Sequence, residues 1–380
     1  MRELNEPGDT GGQASHRTTF LASPATLWVP LVCGLVLAVF ALRVLSTHNW
    51  DPLSFVLRTP PDLPAGQTWG IGYDGRFAYA IAANPWGSTA ELDQPELRYQ
   101  RILYPLVVKV LCLGNAALVP WMLLAVNLAA SIAAAVALGH LLVRRGASPW
   151  LALVLILSLG FLLALRMDLL EPMALALSLW AWHALENRRL ALGATLLALG
   201  ALTKEITIVF TLSWVLAAWF GGRRRAAFGV LVAAVLPYAA WLLAVRAWLG
   251  SSAETLAKTQ LGWLPFAGLR DLADPVSRGV VLIWVIGPAI LFGYLAACDL
   301  VRGLREPLSA DAWLVIGSAA LISVLPQPSW VDPLAIIRFG LGLVAAVLLW
   351  SASYRPRLLP LAAGLWAWSG LLLFVIPRMV

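Results

Sequence analysis

Long apolar runs separated by short polar breaks dominate the chain. The runs at 147–165 and 280–298 have the length and apolarity of membrane-spanning helices. A first such run covers 27–45, and a polar segment at 46–119 follows it before apolar runs and short breaks begin to alternate. The pattern predicts an all-α polytopic membrane protein with about 11 transmembrane helices and a long first loop.

Composition agrees with this architecture. The chain has 380 residues, of which 60% are hydrophobic and only 12% charged, and its mean hydropathy is +0.80. The hydrophilic residues 1–26 are predicted to be a disordered tail, and 27–380 a single transmembrane domain. The net charge of +7 is attributed to basic residues flanking membrane helices, so no nucleic-acid partner is expected. The three scattered cysteines indicate neither a disulfide framework nor a zinc site.

Clustered arginines in alternate breaks set the predicted topology. They occur at 144–145, 188–189, 223–225, 302 with 305, and 355 with 357. Short loops rich in arginine are typically cytoplasmic. The N-terminus is therefore predicted to be cytoplasmic, and the 46–119 loop and the remaining breaks extracytoplasmic.

Lys204 and Glu205 form the tip of an unusually short predicted hairpin. The apolar run before them, 190–203, has 14 residues and reaches about 21 Å as a helix, less than the roughly 30 Å of bilayer hydrocarbon. The tip is therefore expected to be recessed in a wet cavity open to the outside, where ionisable residues are usually functional. Alternatively, the two residues flank helices at the membrane interface.

A second outer break contains Arg166, Asp168 and Glu171 ahead of Pro172. The two acids are three residues apart, so they share a face if a helix begins there, and proline suits a first helical turn. The alternative is a loop whose acids cap the following helix.

The third outer element is the stretch 327–339. Asp332-Pro333 predicts a helix start, which places Arg338 about one and a half turns into the membrane. An arginine at that depth is expected to meet an anion or a carboxylate. The alternative is that its side chain extends back to the interface.

The first loop holds two notable segments. The stretch 101–113 is amphipathic and predicts a helix lying in the interface, with Tyr104 at headgroup level. Asp74 precedes an apolar helical stretch and is either its cap or a reactive carboxylate. Gly75 permits a close approach of backbone to a ligand.

Several acids of the outer elements carry oxygens suited to a divalent cation. They are Asp74, Glu91, Asp93, Asp168 and Glu171. Their spacing is not diagnostic, so the sequence allows a divalent metal without indicating an obligatory one.

Three stretches resemble a known family. "RYQRILYPLVVKVL" (98–111) resembles an interface helix, and "GATLLALGALTKE" (193–205) resembles a Gly-rich helix ending in Thr-Lys-Glu, both typical of the GT-C superfamily of polyprenyl-phosphate-sugar-dependent glycosyltransferases. "GYDGRFAYAIAANP" (72–85) resembles the Tyr-Asp-Gly-x-Phe-Tyr-Tyr signature of a bacterial branch linked to cell-surface glycopolymers. Ala78 and Asn84 depart from that branch, which commonly has Tyr and Asp there.

The resemblance implies a sugar transfer on the outer face of the bacterial inner membrane. The donor would be a polyprenyl-phosphate-linked sugar, and the acceptor a glycan, a lipid or a protein. Asp74 takes the role of catalytic base, and Arg101, Arg166, Lys204 and Arg338 supply cations for the leaving phosphate. The expected substrate-binding set is Tyr73, Gly75, Arg76, Tyr79, Arg101, Tyr104, Arg166, Asp168, Glu171, Lys204, Glu205, Asp332 and Arg338.

Other functions remain open at this stage. A transporter or flippase of lipid-linked saccharides would favour charged pairs at mid-depth and related halves, whereas the ionisable residues here collect on one side. A polymerase or ligase of surface polysaccharide usually has its large loop later in the chain. A catalytically inactive scaffold predicts that Asp74 matters no more than Asp62 or Asp93.

Overall fold

A computed structural model describes residues 24–56, 74–250, 261–303 and 310–375, and all regular elements among them are helical. Tyr73 and most of the predicted tail (1–23) lie outside the described residues. The first helix, α1 (Pro24–Thr47), includes the last three residues of that predicted tail.

Five helices are long and apolar enough to cross a membrane, or six if one bent pair counts as a span. The five are Trp28–Thr47, Ala116–Arg144, Arg224–Leu249, Pro275–Arg302 and Pro333–Tyr354. The predicted run 280–298 lies inside the fourth. Three shorter apolar helices are Leu190–Thr203, Glu205–Phe220 and Ala310–Ser323. The all-helical class and the presence of membrane-length helices are thus confirmed, whereas a topology of eleven spans stays a prediction.

The first loop carries three short helices, α2 (Gly75–Ala83), α3 (Pro95–Arg98) and α4 (Leu103–Leu111). The helices that follow are α5 (Val119–Arg144), α6 (Ala152–Leu157), α7 (Leu159–Arg166), α8 (Glu171–Glu186), α9 (Leu190–Thr203), α10 (Ile208–Phe220), α11 (Arg224–Leu249), α12 (Pro275–Val281), α13 (Gly287–Arg302), α14 (Ala310–Ser323), α15 (Gln327–Val331), α16 (Pro333–Phe339), α17 (Leu341–Tyr354), α18 (Leu359–Ala367) and α19 (Leu372–Val375). A turn of π-helix joins α12 to α13.

Consecutive and distant helices pack into one body around α17. Helix α8 packs between α5 and α9, α9 contacts α11, and α10 packs on α14, which packs on α17. Most of α17 is buried, including the run 343–352. At the end of the molecule opposite the first loop, Arg145 binds Asp311 through two contacts of 2.7 Å and Glu186 at 2.5 Å. This ion cluster ties α5, α8 and α14 together.

The apolar run at 147–165 is divided between two helices. Helices α6 and α7 meet at Ser158 with a bend of 61°. Ser158 is extended (φ −64°, ψ 143°) and its Oγ donates to the Leu155 carbonyl at 2.7 Å. The Leu159 amide donates instead to Ser369 Oγ at 2.9 Å. Side chains therefore replace the lost helical hydrogen bonds at the break.

A glycine lets α7 approach α16 closely. A Cβ on Gly160 would lie 2.7 Å from the Ile337 carbonyl oxygen, closer than side-chain carbons tolerate. This contact sets the position of α16, which carries Arg338, against the helix that leads into the turn at 167–170.

Candidate functional site

The hairpin tip is buried inside the fold. Helix α9 ends at Thr203, and Lys204 leaves it in an extended conformation (φ −158°, ψ 124°). The Lys204 side chain is only 3% exposed. Its Nζ donates to Glu171 Oε1 and lies 5.1 Å from the centroid of the Phe339 ring. The cation at the tip of the short hairpin is thus buried inside the fold and paired with a carboxylate.

Glu171 joins this lysine to an arginine from the far end of the chain. It begins α8, with Pro172 in the first turn. Its Oε1 also accepts from Arg338 Nη1 at 2.5 Å, and both side chains are 3% exposed. Arg338 therefore meets a carboxylate inside the fold, and the alternative of an arginine extending to the interface is wrong. Asp332 caps α16, with Oδ1 accepting from the Leu334 amide at 2.9 Å, so the predicted helix start is confirmed.

The Asp74 carboxylate does not cap α2. Asp74 occupies the N-cap position, but its side chain makes no capping hydrogen bond. Oδ1 accepts from Arg98 Nη1 at 2.9 Å, and Oδ2 lies 3.9 Å from Arg101 Nη1. Arg98 also donates two hydrogen bonds to Asp93, at 2.8 and 2.9 Å. Its guanidinium carbon lies 3.9 Å from the centroid of the Phe77 ring. Arg98 is the main partner of Asp74.

Gly75 makes a close backbone approach, but to the protein itself. A Cβ at this position would lie 2.1 Å from the Met167 carbonyl oxygen and 3.2 Å from that of Asp168. The turn between α7 and α8 fills the space beside the Gly75 Cα, and an approach of this backbone to a ligand stays a prediction. The contact seats the N-terminus of α2, and with it Asp74, on the chain segment that leads to Glu171.

Arg101 connects the first loop to the hairpin tip. Its Nε and Nη2 donate to the two Glu205 oxygens at 2.8 and 2.6 Å, a bidentate pair. Because Glu205 follows Lys204 directly, the contacts run without a gap from Asp93 to Arg338. We call the following eight side chains the outer network: Asp74, Asp93, Arg98, Arg101, Glu171, Lys204, Glu205 and Arg338.

The outer network balances four cations against four carboxylates. The charges of its cations change the pKa of Asp74. Burial alone raises the pKa of Asp74, but the charges of Arg98, Arg338, Arg101 and Lys204 outweigh burial and lower that pKa to about 2. Burial likewise raises the pKa of Asp93, while its hydrogen bond and ion pair with Arg98 lower it overall. Asp74 is therefore ionised and stabilised at neutral pH.

Two cavities flank the outer network. One of about 40 Å³ has Glu171, Lys204 and Arg338 at its polar end and apolar walls from α10, α14 and α17. The other, of about 10 Å³, is lined by Asp74, Arg98 and Arg101 on its polar side and by Leu170. Leu170 and Glu171 are consecutive, so the two cavities adjoin along the chain.

The side chains of Tyr104 and Arg166 hydrogen-bond to backbone carbonyls outside the outer network. Tyr104 is fully buried and its hydroxyl donates to the Leu123 carbonyl at 3.0 Å, so its expected headgroup position is wrong. Packing of α4 against α5 explains the difference, and Val110 and Leu111 are the exposed residues of α4. Arg166 Nη1 donates to the Ser54 carbonyl at 2.6 Å.

Asp168 and Glu171 do not share a helix face. Asp168 has a positive φ of 49° and lies in the turn before α8. Its Oδ1 accepts from Asn127 Nδ2 at 2.9 Å. The expected helical pairing of the two acids is wrong because the helix starts only at Glu171.

Arg76 and Tyr79 lie on α2 and are both half-buried. The guanidinium of Arg76 lies 4.6 Å from the centroid of the Phe77 ring, and Tyr79 packs against the apolar cluster that contains Ala78. Neither one is in the outer network.

Sequence reasoning missed Arg98 as a site residue. It stands three positions before Arg101 within a stretch already singled out, and its partner Asp74 is 24 residues away.

Among the described residues, no three Asp, Glu, His or Cys side chains gather as a metal-binding group. The two acids Asp74 and Asp93 are bridged by the guanidinium of Arg98.

Comparison of the chain with protein-family models, curated proteins and solved structures found no match.

Proposed function

We propose that this chain is an integral membrane glycosyltransferase. It moves a sugar from a polyprenyl-phosphate or polyprenyl-pyrophosphate donor to an extracytoplasmic acceptor during assembly of a cell-envelope glycopolymer. The observation that carries the proposal is the outer network, which joins an acid of the first loop to buried cations from two later breaks beside a cavity with apolar walls.

The lining of the cavity beside Lys204 and Arg338 has the polarity of a site for an amphiphile with an anionic head. Lys204 and Arg338 stand at one end, and the walls from α10, α14 and α17 are mainly hydrocarbon. A lipid phosphate has the same distribution of charge and apolar surface. During transfer the departing phosphate gains negative charge, and fixed cations beside it stabilise that charge in the transition state.

Asp74 is the proposed base. As the acceptor hydroxyl attacks, a bond forms between its oxygen and the anomeric carbon, the bond from that carbon to the phosphate oxygen breaks, and the hydroxyl proton passes to Asp74. With a pKa of about 2, the carboxylate is a weak base while Arg98 and Arg101 hold it. The proposal therefore requires the donor phosphate to attract these arginines, which returns the Asp74 pKa toward its ordinary value.

One feature favours a transporter instead. Discontinuous helices often border substrate sites in transporters, and the chain is broken at Ser158. This break, however, is fixed by the hydrogen bond to Ser369 and borders the close contact at Gly160. The ionisable residues of the outer network also come from the outer breaks, which suits one-sided chemistry.

The test uses Asp74→Asn in a deletion strain, with membrane levels of the protein matched to wild type. Mass spectrometry of the lipid fraction follows lipid-linked saccharides. Glu91→Gln, an exposed acid of the same loop, is the matched control. We expect Asp74→Asn to accumulate the donor like the deletion strain, and Glu91→Gln to behave like wild type.

Two results would contradict the proposal. Normal transfer by Asp74→Asn at wild-type abundance would remove Asp74 as the base. Accumulation of the donor on the cytoplasmic face in the deletion strain, measured by its inaccessibility to an external glycosidase, would identify a transporter.

A further inference from the structure

Asp168 is a fully buried acid with an incomplete set of hydrogen bonds. Its Oδ1 accepts from Asn127 Nδ2 at 2.9 Å. Asp168 Oδ2 and Asn127 Oδ1 are both buried, and neither has a hydrogen-bond partner. Both residues are 0% exposed. Buried polar atoms without partners are rare in folded proteins and call for an explanation.

The surroundings offer little compensation for a negative charge on Asp168. Two titratable groups act on this turn, Arg166 from α7 and Tyr104 from α4. Arg166 donates to the Ser54 carbonyl and the Tyr104 hydroxyl donates to the Leu123 carbonyl. Burial disfavours an ionised carboxylate at Asp168 more strongly than the Asn127 amide and the charge of Arg166 favour it.

We propose that Asp168 is a neutral, protonated acid that forms a reciprocal pair with Asn127. The proton on Asp168 Oδ2 donates to Asn127 Oδ1, while Asn127 Nδ2 donates to Asp168 Oδ1. One proton thus gives both Asp168 Oδ2 and Asn127 Oδ1 a hydrogen-bond partner. A protonated carboxyl group, like a side-chain amide, has one donor and one acceptor in the same plane, so the two groups can pair through two hydrogen bonds.

A bound cation explains the two oxygens less well. Sodium-like or calcium-like sites need about six to eight oxygen ligands, and Asp168 with Asn127 supplies two side-chain oxygens. Among the residues that the structure describes, no three acids, histidines or cysteines gather as a metal-binding group.

The pair holds the turn on which α2 rests. Asn127 belongs to α5, so the two hydrogen bonds fix the positive-φ turn at Asp168 against that helix. The Met167 and Asp168 carbonyls in this turn contact Gly75, next to Asp74. Asp168 is therefore a positioning residue and not a ligand-binding carboxylate.

The decisive variant is Asp168→Asn, because an amide copies the proposed protonated acid. Its Nδ2 donates to Asn127 Oδ1 and the pair stays complete. We expect an unfolding temperature close to wild type for Asp168→Asn, and a clear fall for Asp168→Ala. The unfolding temperature of Asn127→Asp should also fall, and that of the exchanged double variant Asn127→Asp/Asp168→Asn should return close to the wild-type value.

Infrared difference spectroscopy of the purified full chain reads the protonation state directly. We expect a carbonyl band of a protonated carboxyl at neutral pH, absent in Asp168→Asn and present again in the exchanged double variant. These measurements do not depend on glycosyl transfer, so they stand or fall separately from the proposed function.

Three outcomes would overturn the inference. The first is loss of a carboxylate band, instead of a protonated one, in Asp168→Asn. The second is a fall in unfolding temperature for Asp168→Asn as large as that for Asp168→Ala. The third is stabilisation of the wild type by sodium or calcium chloride that Asp168→Asn abolishes, since this would identify a cation site.

Discussion

Glu171 is the single carboxylate shared by two buried cations, which makes Glu171→Gln the sharpest perturbation of the outer network. Glutamine keeps the size of the side chain and removes its charge. Lys204 and Arg338 are each 3% exposed at the side chain, so both cations lose one anionic contact away from water. Breaking a buried ion pair costs about 3–5 kcal/mol, chiefly because the remaining charge stays buried.

The expected shift in unfolding temperature follows from the size of the chain. An unfolding entropy of roughly 2.1 cal/mol/K per residue, over 380 residues, gives about 0.8 kcal/mol/K. A loss of about 3–5 kcal/mol therefore lowers Tm by about 4–6 °C. The assay is thermal unfolding of the purified full chain in detergent, followed by circular dichroism, with exposed Glu91→Gln as a control expected within about 0.5 kcal/mol.

A double-mutant cycle with Arg338→Gln distinguishes loss of the Glu171–Arg338 ion pair from a general loss of stability. The two side chains touch at 2.5 Å, so the double variant should lose less than the sum of the single losses, by about 0.5–3 kcal/mol. A Tm for Glu171→Gln equal to wild type, or strict additivity in the cycle, would refute the reasoning.

Two further predictions concern the first loop. Gly75→Ala should lose about 1–3 kcal/mol of stability, because its Cβ meets the Met167 carbonyl oxygen. Gly279→Ala, which has open space around it, should be neutral in the same thermal assay. Equal effects of the two substitutions would contradict this expectation. The pKa of Asp74 is lowered from 3.8 to about 2, which contributes about 2 kcal/mol to the free energy of unfolding. This stability is present above about pH 4 and is lost as the pH falls toward about 2. Asp74→Asn should therefore show a shallower fall of Tm over that range, and parallel curves would contradict the ion pairs.

Features that depend on local sequence were predictable. The depth of Lys204 follows from the 14 residues of the preceding helix, and the cap at Asp332 follows from the proline after it. Both rest on helix length and on hydrogen bonding within a few residues. The expectation that Arg338 meets a carboxylate follows from the desolvation of a charge at that depth.

Features that depend on distant partners were not predictable. The break at Ser158 is completed by Ser369, which is more than two hundred residues away along the chain. The burial of Tyr104 depends on a carbonyl of α5, and the choice of Arg98 over Arg101 as the main partner of Asp74 depends on how α2 and α3 pack. Nothing in the local pattern distinguishes the two arginines.

The charge balance of the outer network constrains how an anion can enter. Because four carboxylates already neutralise the four cations, a donor phosphate must replace a carboxylate to be bound. Glu171 is almost fully enclosed, whereas the side chains of Glu205 and Asp74 are 32% and 26% exposed. Both of these accessible acids face Arg101. For the proposed transferase, displacement thus begins at Arg101, and the release of Asp74 as a base also requires the donor phosphate to draw Arg98 away from it.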